Sequence, residues 1–407
     1  MRALVLLIVC SGAAAPQVLV DLSKPEGREL IDRFETAWTK PSGEPLDCDV
    51  RQLSPSLTFS FRHQTGFFLS LPLHQMDPQG SQVSMTTSVR PLAGGNPYYF
   101  WQGFTVPKFP AEKIGKRVVG EVGGGFYIGP GEYEVRWLLE DHRGRRCTDS
   151  WKVKLKPGRD HRQPLEPNTV TPLILSRWNA EDRANRPFKV SILLHAAPYR
   201  LRSTSLHPFD QALLISTLAA LLEKTSLSEV AVTAFNLNQQ RELLRTDRLD
   251  LDAFRRLVAA MDELKLGTIG LDVLSKPEGV PQLIDQVVRR ELQRPDPPDA
   301  IVFIGPNTRY DDSPPADLLR EVAGPQPPLF FYLHLARFHL PWKDGIEKLV
   351  GKMNGETKDI WRPDDLSDAI RDLEARLKRR AQMPLARKPP STARIWPVQN
   401  FAASDAK

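Results

Sequence analysis

Two short loops carry most of the side chains able to do chemistry. One follows the apolar run FKVSILLH and holds His195, Tyr199 and Arg200. The other follows AIVFIGP and holds Asn307, Thr308 and Arg309. An imidazole, a phenol, guanidinium groups and neutral hydrogen-bonding side chains suit recognition of a polar surface. The remaining candidates are weaker. His334 and His339 flank LARF at a five-residue offset, which on a strand turns them to opposite faces and away from a shared metal. Asp311-Asp312 lies in a Pro-rich loop, and Asp364-Asp365 lies near a predicted helix N-terminus, where acids favour the helix dipole. Both acid pairs read as surface charge. No GxSxG, HExxH or phosphate-binding P-loop occurs. The expectation is a protein that is not an enzyme and uses no cofactor and no metal.

The elements that must position these loops are legible from pattern. From Phe188 to about Arg380, strands alternate with helices: FKVSILLH, a helix from Pro208 to Lys224, EVAVTAFN, and a polar strand near QRELLRT. Then come the helix LDAFRRLVAAMDEL, a helix from Val280 to Leu292, the strands DAIVFIGP and LFFYLHL, the helix DGIEKLVGKMN and a last helix from Asp364. Leu251, Phe254, Leu257, Val258, Met261 and Leu264 share one helical face. This order implies a mostly parallel sheet with helices on both faces, and a strand, loop and helix in that order form ligand sites at the strand's carboxyl end.

Upstream, residues 46–157 read as an all-β sandwich, with short β-branched and aromatic runs separated by Gly, Pro, Asn and Asp. GEYEVRW resembles the penultimate strand of immunoglobulin-like sandwiches, where a Tyr anchors the strand's start. VGGGFYIGPG is expected to be a hairpin, since no helix pattern follows it. Residues 16–45 read as a lead-in strand and helix, the helix opened by a capping box of Ser23 and Glu26; Ser275 and Glu278 repeat that spacing. Residues 158–187 read as a linker and 383–407 as a Pro/Arg-rich tail, leaving 188–382 as the α/β domain.

Charge and composition narrow the class. The 407-residue chain carries a mild net charge of +6 and has no basic stripe with stacking aromatics, so no nucleic-acid partner is expected. Residues 1–15, MRALVLLIVCSGAAA, have the order of a Sec-type signal peptide: one charge, a short apolar core, then small residues. The apolar run is too short to span a bilayer, which takes about 20 residues. The mature chain is therefore expected to be secreted or periplasmic without a transmembrane segment, and to meet a protein partner in the cell envelope or outside the cell. Of the three cysteines, Cys48 and Cys147 remain after export, and an even count in an oxidising compartment suggests one disulfide between them.

The 188–382 region resembles the von Willebrand factor A fold in element order and hydrophobic pattern, on FKVSILLH, ALLISTLAALLEKTS, EVAVTAFN, KLGTIGLDVL, PPDAIVFIGPNTR and GIEKLVGKMNGETKDIWRPDDLSDAIRDL. The chain as a whole resembles secreted bacterial two-domain proteins that pair a β-sandwich with a degenerate domain of that kind. The resemblance implies a metal site of hard oxygen ligands: an Asp and two hydroxyls from the first loop, a Thr from the second and an Asp from the third. Here His195 to Tyr199 supply no Asp and no Ser pair, Ile304, Gly305 and Pro306 replace the strand-end Asp, and only Thr268 remains. The metal centre is expected to be lost. The loop face of His195, Tyr199, Arg200, Thr268, Asn307, Thr308 and Arg309 is then the expected partner-binding surface. Two alternatives stay open: an enzyme using a cleft at the sheet's C-terminal end, and a metal-dependent adhesion domain that replaces the missing ligands with backbone carbonyls and acids such as Asp311.

Overall fold

Tyr133, Val135, Trp137 and Leu139 are fully buried while Glu134 and Arg136 between them are half-buried, the alternation of a strand covered on one face. The computed structural model that contains this strand describes residues 17–39, 44–110, 115, 118–157, 165–173, 186–199, 206, 208–264, 278–336 and 342–382. The signal-peptide reading of residues 1–15, the tail, Arg200, Thr268, Ser275 and His339 lie outside the described residues.

The N-terminal elements are β1 (Val18–Leu19), α1 (Pro25–Thr39), β2 (Asp49–Leu57), β3 (His63–Pro72), β4 (Ser81–Pro91), β5 (Tyr98–Val106), β6 (Val119–Ile128), β7 (Gly131–Asp141), β8 (Arg146–Leu155) and β9 (Val170–Pro172). They form a five-stranded sheet ordered β1-β5-β4-β7-β8 and a four-stranded sheet ordered β2-β3-β6-β9. The two sheets share one hydrophobic core. Phe67 of β3 meets Trp137 of β7 edge-on at 5.5 Å, and Phe100 of β5 stacks on Phe126 of β6 at 5.5 Å. Cys48 and Cys147 form a disulfide with Cα atoms 6.3 Å apart. It joins the start of β2 to β8, at the point where residues 45–46 run beside Arg146 before crossing to the other sheet.

Four expectations change. The lead-in is part of this domain: β1 pairs with β5, and Phe34 and Ala37 of α1 pack on Tyr99 and Leu138. The capping box does not form; α1 begins at Pro25, and Ser23 bonds Asp21 instead. The run VGGGFYIGPG is not a hairpin, because β6 pairs with β3 and β9 while β7 pairs with β4 and β8. The chain changes sheets there, and the Tyr133 hydroxyl fixes the crossing by donating to the Gly129 carbonyl at 2.7 Å. The segment read as linker contains β9, which completes the four-stranded sheet.

The α/β domain comprises β10 (Phe188–His195), α2 (Pro208–Lys224), β11 (Leu227–Asn236), β12 (Arg241–Thr246), α3 (Leu251–Asp262), α4 (Gly279–Leu292), β13 (Ala300–Pro306), α5 (Ala316–Ala323), β14 (Leu329–Leu335), α6 (Gly345–Lys352), β15 (Glu356–Ile360) and α7 (Pro363–Gln382). The sheet order is β12-β11-β10-β13-β14-β15. All pairs are parallel except β11 with β12. Counted within the domain this is the 3-2-1-4-5-6 order of doubly wound sheets, whose direction of winding reverses between β10 and β13. Ile192 and Leu194 face α2, α3 and α7, whereas Leu193 faces α4, α5 and α6. Burial on both faces accounts for the near-continuous apolar runs. The two domains meet at the β2–β3 turn. There Phe61, at φ 58°, buries its ring in the α/β core beneath Lys224, and Arg62 lies 3.7 Å from Glu223.

Candidate functional site

The C-terminal ends of β10 and β13 flank the point where winding reverses, the usual ligand position in such sheets. His195 ends β10 and Pro306 ends β13. His195 is only 3% exposed and stacks on Phe235 at 5.4 Å. Neither ring nitrogen has a hydrogen-bond partner among the described residues. Burial lowers its pKa to about 4, against a small opposing pull from the Pro306 carbonyl, so the ring is neutral at physiological pH. Its expected role as a presented contact residue is therefore corrected: Phe235 and the strand ends enclose it.

Gly305 is required by this packing. A Cβ there would lie 2.7 Å from the His195 Cβ and 3.0 Å from its carbonyl oxygen. The glycine lets β13 approach the end of β10 where a larger residue would push it away.

The other loop residues act mainly on the protein's own backbone. Tyr199 donates its hydroxyl to the Ala336 carbonyl at 2.6 Å, and its amide donates to Asp210 at 3.2 Å. Thr308 is buried; its hydroxyl donates to the Tyr310 carbonyl at 3.0 Å, and its amide donates to Asp344 at 3.0 Å. Asp344 also caps α6 by accepting from the Glu347 amide at 2.9 Å. Burial raises the Asp344 pKa, partly offset by these two amides. Asn307 is half-buried and Arg309 exposed. Tyr332, buried beneath the loop, donates to the Pro306 carbonyl at 3.2 Å. Burial, and then the carboxylates of Asp344, Glu347 and Asp359, push its pKa well up. His334 pairs with Asp359 at 2.7 Å.

The sequence pointed to these two loops but not to their supports. Asp210, Tyr332, Ala336 and Asp344 hold the face, and all four come from other elements. Only Asp344 had a local signal, an acid preceding an apolar run at N-cap position. Among the described residues no three His, Cys, Asp or Glu side chains converge as a metal cluster, and no helix is long and apolar enough to cross a membrane.

No family model and no curated protein matches the chain. Solved structures overlap it loosely. A von Willebrand factor type A protein from Catenulispora acidiphila is 13% identical over 61% of this chain and 46% of that one, with a TM-score of 0.25. A Pseudomonas fluorescens alkylpurine DNA glycosylase bound to abasic-site DNA is 14% identical over 31% of this chain and 36% of that one, at 0.20. A calcium-binding mutant of Bacteroides uniformis beta-glucuronidase 2 is 8% identical over 75% of this chain and 25% of that one, at 0.16. The chain spans less than half the length of each.

Proposed function

We propose that the chain is an exported, non-enzymatic binding protein. In this reading an immunoglobulin-like sandwich precedes a von Willebrand factor A-like domain that has lost its metal centre and offers its loop face to a protein partner. The observation that carries the reading is the use made of the polar side chains at the strand ends. Tyr199, Thr308 and Asp344 bind loop backbone, which makes a rigid platform. The 3-2-1-4-5-6 strand order supports the domain assignment. The Tyr133 bond back to Gly129 supports the immunoglobulin likeness, since a tyrosine at that corner bonds upstream backbone in such sandwiches. The Cys48–Cys147 bridge and the apolar leader support export.

A photo-crosslinking residue at Asn307 tests the platform. It should capture an envelope protein that the same label at Leu251, exposed at the opposite end of the sheet, does not. Equal capture at both positions would overturn the proposal. Loss of the metal site has its own test. Millimolar Mg²⁺ should leave the melting midpoint unchanged, whereas an ion at 100 times its Kd would add about 2.7 kcal/mol. Intact mass of envelope or culture material tests export, with the mature chain expected to begin at Ala15 or Pro16.

A further inference from the structure

The outer face of the five-stranded sheet is only half covered. Strand register sets out its rows. Tyr99, Ser88 and Arg136 make one row, Trp101, Thr86 and Leu138 the next, then Gly103, Ser84 and Glu140, then Thr105 and Gln82. Helix α1 lies over the first row and part of the second, through Phe34 and Ala37. Beyond its edge a groove of about 470 Å³ opens, walled by Leu30, Arg33 and Phe34 of the helix and floored by the third and fourth rows. That volume falls within the roughly 300–1,000 Å³ of small-molecule sites.

The make-up of the groove selects a ligand chemistry. Gly103 leaves its floor low, and the six-membered ring of the Trp101 indole lies over it: a Cβ at Gly103 would come within 2.9 Å of that ring. Around this aromatic surface stand an amide (Gln82), hydroxyls (Ser84 and Thr105), a carboxylate (Glu140) and a guanidinium (Arg33). Among the described residues, the side chains of Gln82 and Thr105 make no hydrogen bond and Arg33 makes no ion pair. The Ser84 hydroxyl donates to the Glu140 carbonyl at 3.5 Å and one Glu140 carboxylate oxygen accepts from Arg146 at 3.2 Å, so Gln82, Thr105 and Arg33 are the groups left for a ligand. A flat aromatic surface ringed by available donors and acceptors matches a pyranose. The sugar's C–H face stacks on the ring, and its hydroxyls leave in the ring plane toward the polar rim. An apolar peptide would leave Gln82 and Thr105 without partners, a cost that a polyhydroxylated ligand avoids.

We propose that this groove binds a glycan chain of gluco-configured pyranose rings, with Trp101 as the stacking surface and Gln82, Thr105 and Arg33 as hydrogen-bonding groups. The proposal is independent of the partner-binding reading of the α/β domain and concerns the opposite end of the chain.

Titration calorimetry on the full chain tests it, with chitotetraose, cellotetraose and maltotetraose as probes at millimolar concentration. At least one should bind saturably and perturb tryptophan fluorescence. Trp101→Ala should weaken that binding by at least about tenfold, equivalent to about 1.4 kcal/mol. Gln82→Ala, on the exposed rim, should weaken it with the melting midpoint unchanged, and it decides the matter if Trp101→Ala does not fold. Absence of binding by all three probes, or binding indifferent to the variants, overturns the proposal.

Discussion

Tyr199 donates its hydroxyl to the Ala336 carbonyl at 2.6 Å, so the loop after β10 is tied to the end of β14 across the intervening β13. One bond thus joins residues 137 positions apart in sequence at the place where the sheet reverses its winding.

Tyr199→Phe removes that bond and little else. A hydrogen bond of this kind contributes about 1 kcal/mol net, and the abandoned carbonyl adds a desolvation cost if water does not reach it. Denaturant unfolding of the α/β domain should show a loss of about 1–2 kcal/mol with an unchanged m-value. A variant as stable as wild type would mean that the tie is solvent-replaced.

The sequence announced the α/β domain more clearly than its site. Runs such as AIVFI and LFFYL are apolar because both faces of the sheet are covered, and that pressure acts on every residue of a strand. α5 escaped because it has eight residues, set in a proline-rich stretch. β9 escaped because three residues carry no period. The groove beside Trp101 has no local signal at all. Trp101, Glu140 and Arg33 become neighbours only through the register of β4 with β5 and β7 and the docking of α1, which are long-range pairings. His195 was found as a residue but misread as a surface. A histidine at a strand's end looks the same in sequence whether the next strand's phenylalanine covers it or not.

Burial of His195 makes the α/β domain's stability depend on pH. The imidazole falls from 6.5 to about 4 on folding, so the unfolded chain takes up the proton first. The contribution is fully present above pH 6.5, is lost as pH falls through the window down to about 4, and is constant below it. A gap of that size corresponds to roughly 3 kcal/mol. His195→Phe keeps the stacking on Phe235 and carries no proton, so its stability measured between pH 4 and 6.5 should slope less steeply than wild type. Equal slopes would place the titration elsewhere.

One ion pair reinforces the packing that docks α1. Arg136 donates to Glu35 at 3.0 and 2.5 Å, and Tyr99 donates to the same carboxylate at 2.8 Å. Partial burial pushes the Glu35 pKa up, but these bonds outweigh it and hold the carboxylate below its usual range. Glu35→Gln should cost about 1 kcal/mol, since the pair is partly screened by solvent. The α1 amides should then exchange faster while those of β4 and β7 do not. The glycan groove loses a wall with the helix, so oligosaccharide affinity should fall in the same variant.

The Cys48–Cys147 bridge closes a loop across 99 positions and lies wholly within the N-terminal domain. Chain-entropy reasoning gives about 4.7 kcal/mol for a loop of this length. Reduction, or Cys48→Ser with Cys147→Ser, should lower the transition of the sandwich and leave that of the α/β domain nearly unmoved. Parallel loss of both would mean that the Phe61 contact couples the domains into one cooperative unit.

Gly305→Ala tests the tight fit at the reversal point most directly. The added methyl would meet the His195 Cβ at 2.7 Å and the His195 carbonyl oxygen at 3.0 Å, neither of which is the end of a flexible side chain. Overpacking of this kind costs about 1–3 kcal/mol. Because the nearest obstruction is a Cβ, His195→Ala leaves the clash in place, whereas His195→Gly removes its closer half. A double-mutant cycle should therefore give little coupling between Gly305→Ala and His195→Ala. With His195→Gly it should give a favourable coupling within the roughly 0.5–3 kcal/mol range of contacting residues. Equal coupling in both cycles would show that the imidazole, and not the backbone approach of β13 to β10, is what Gly305 accommodates.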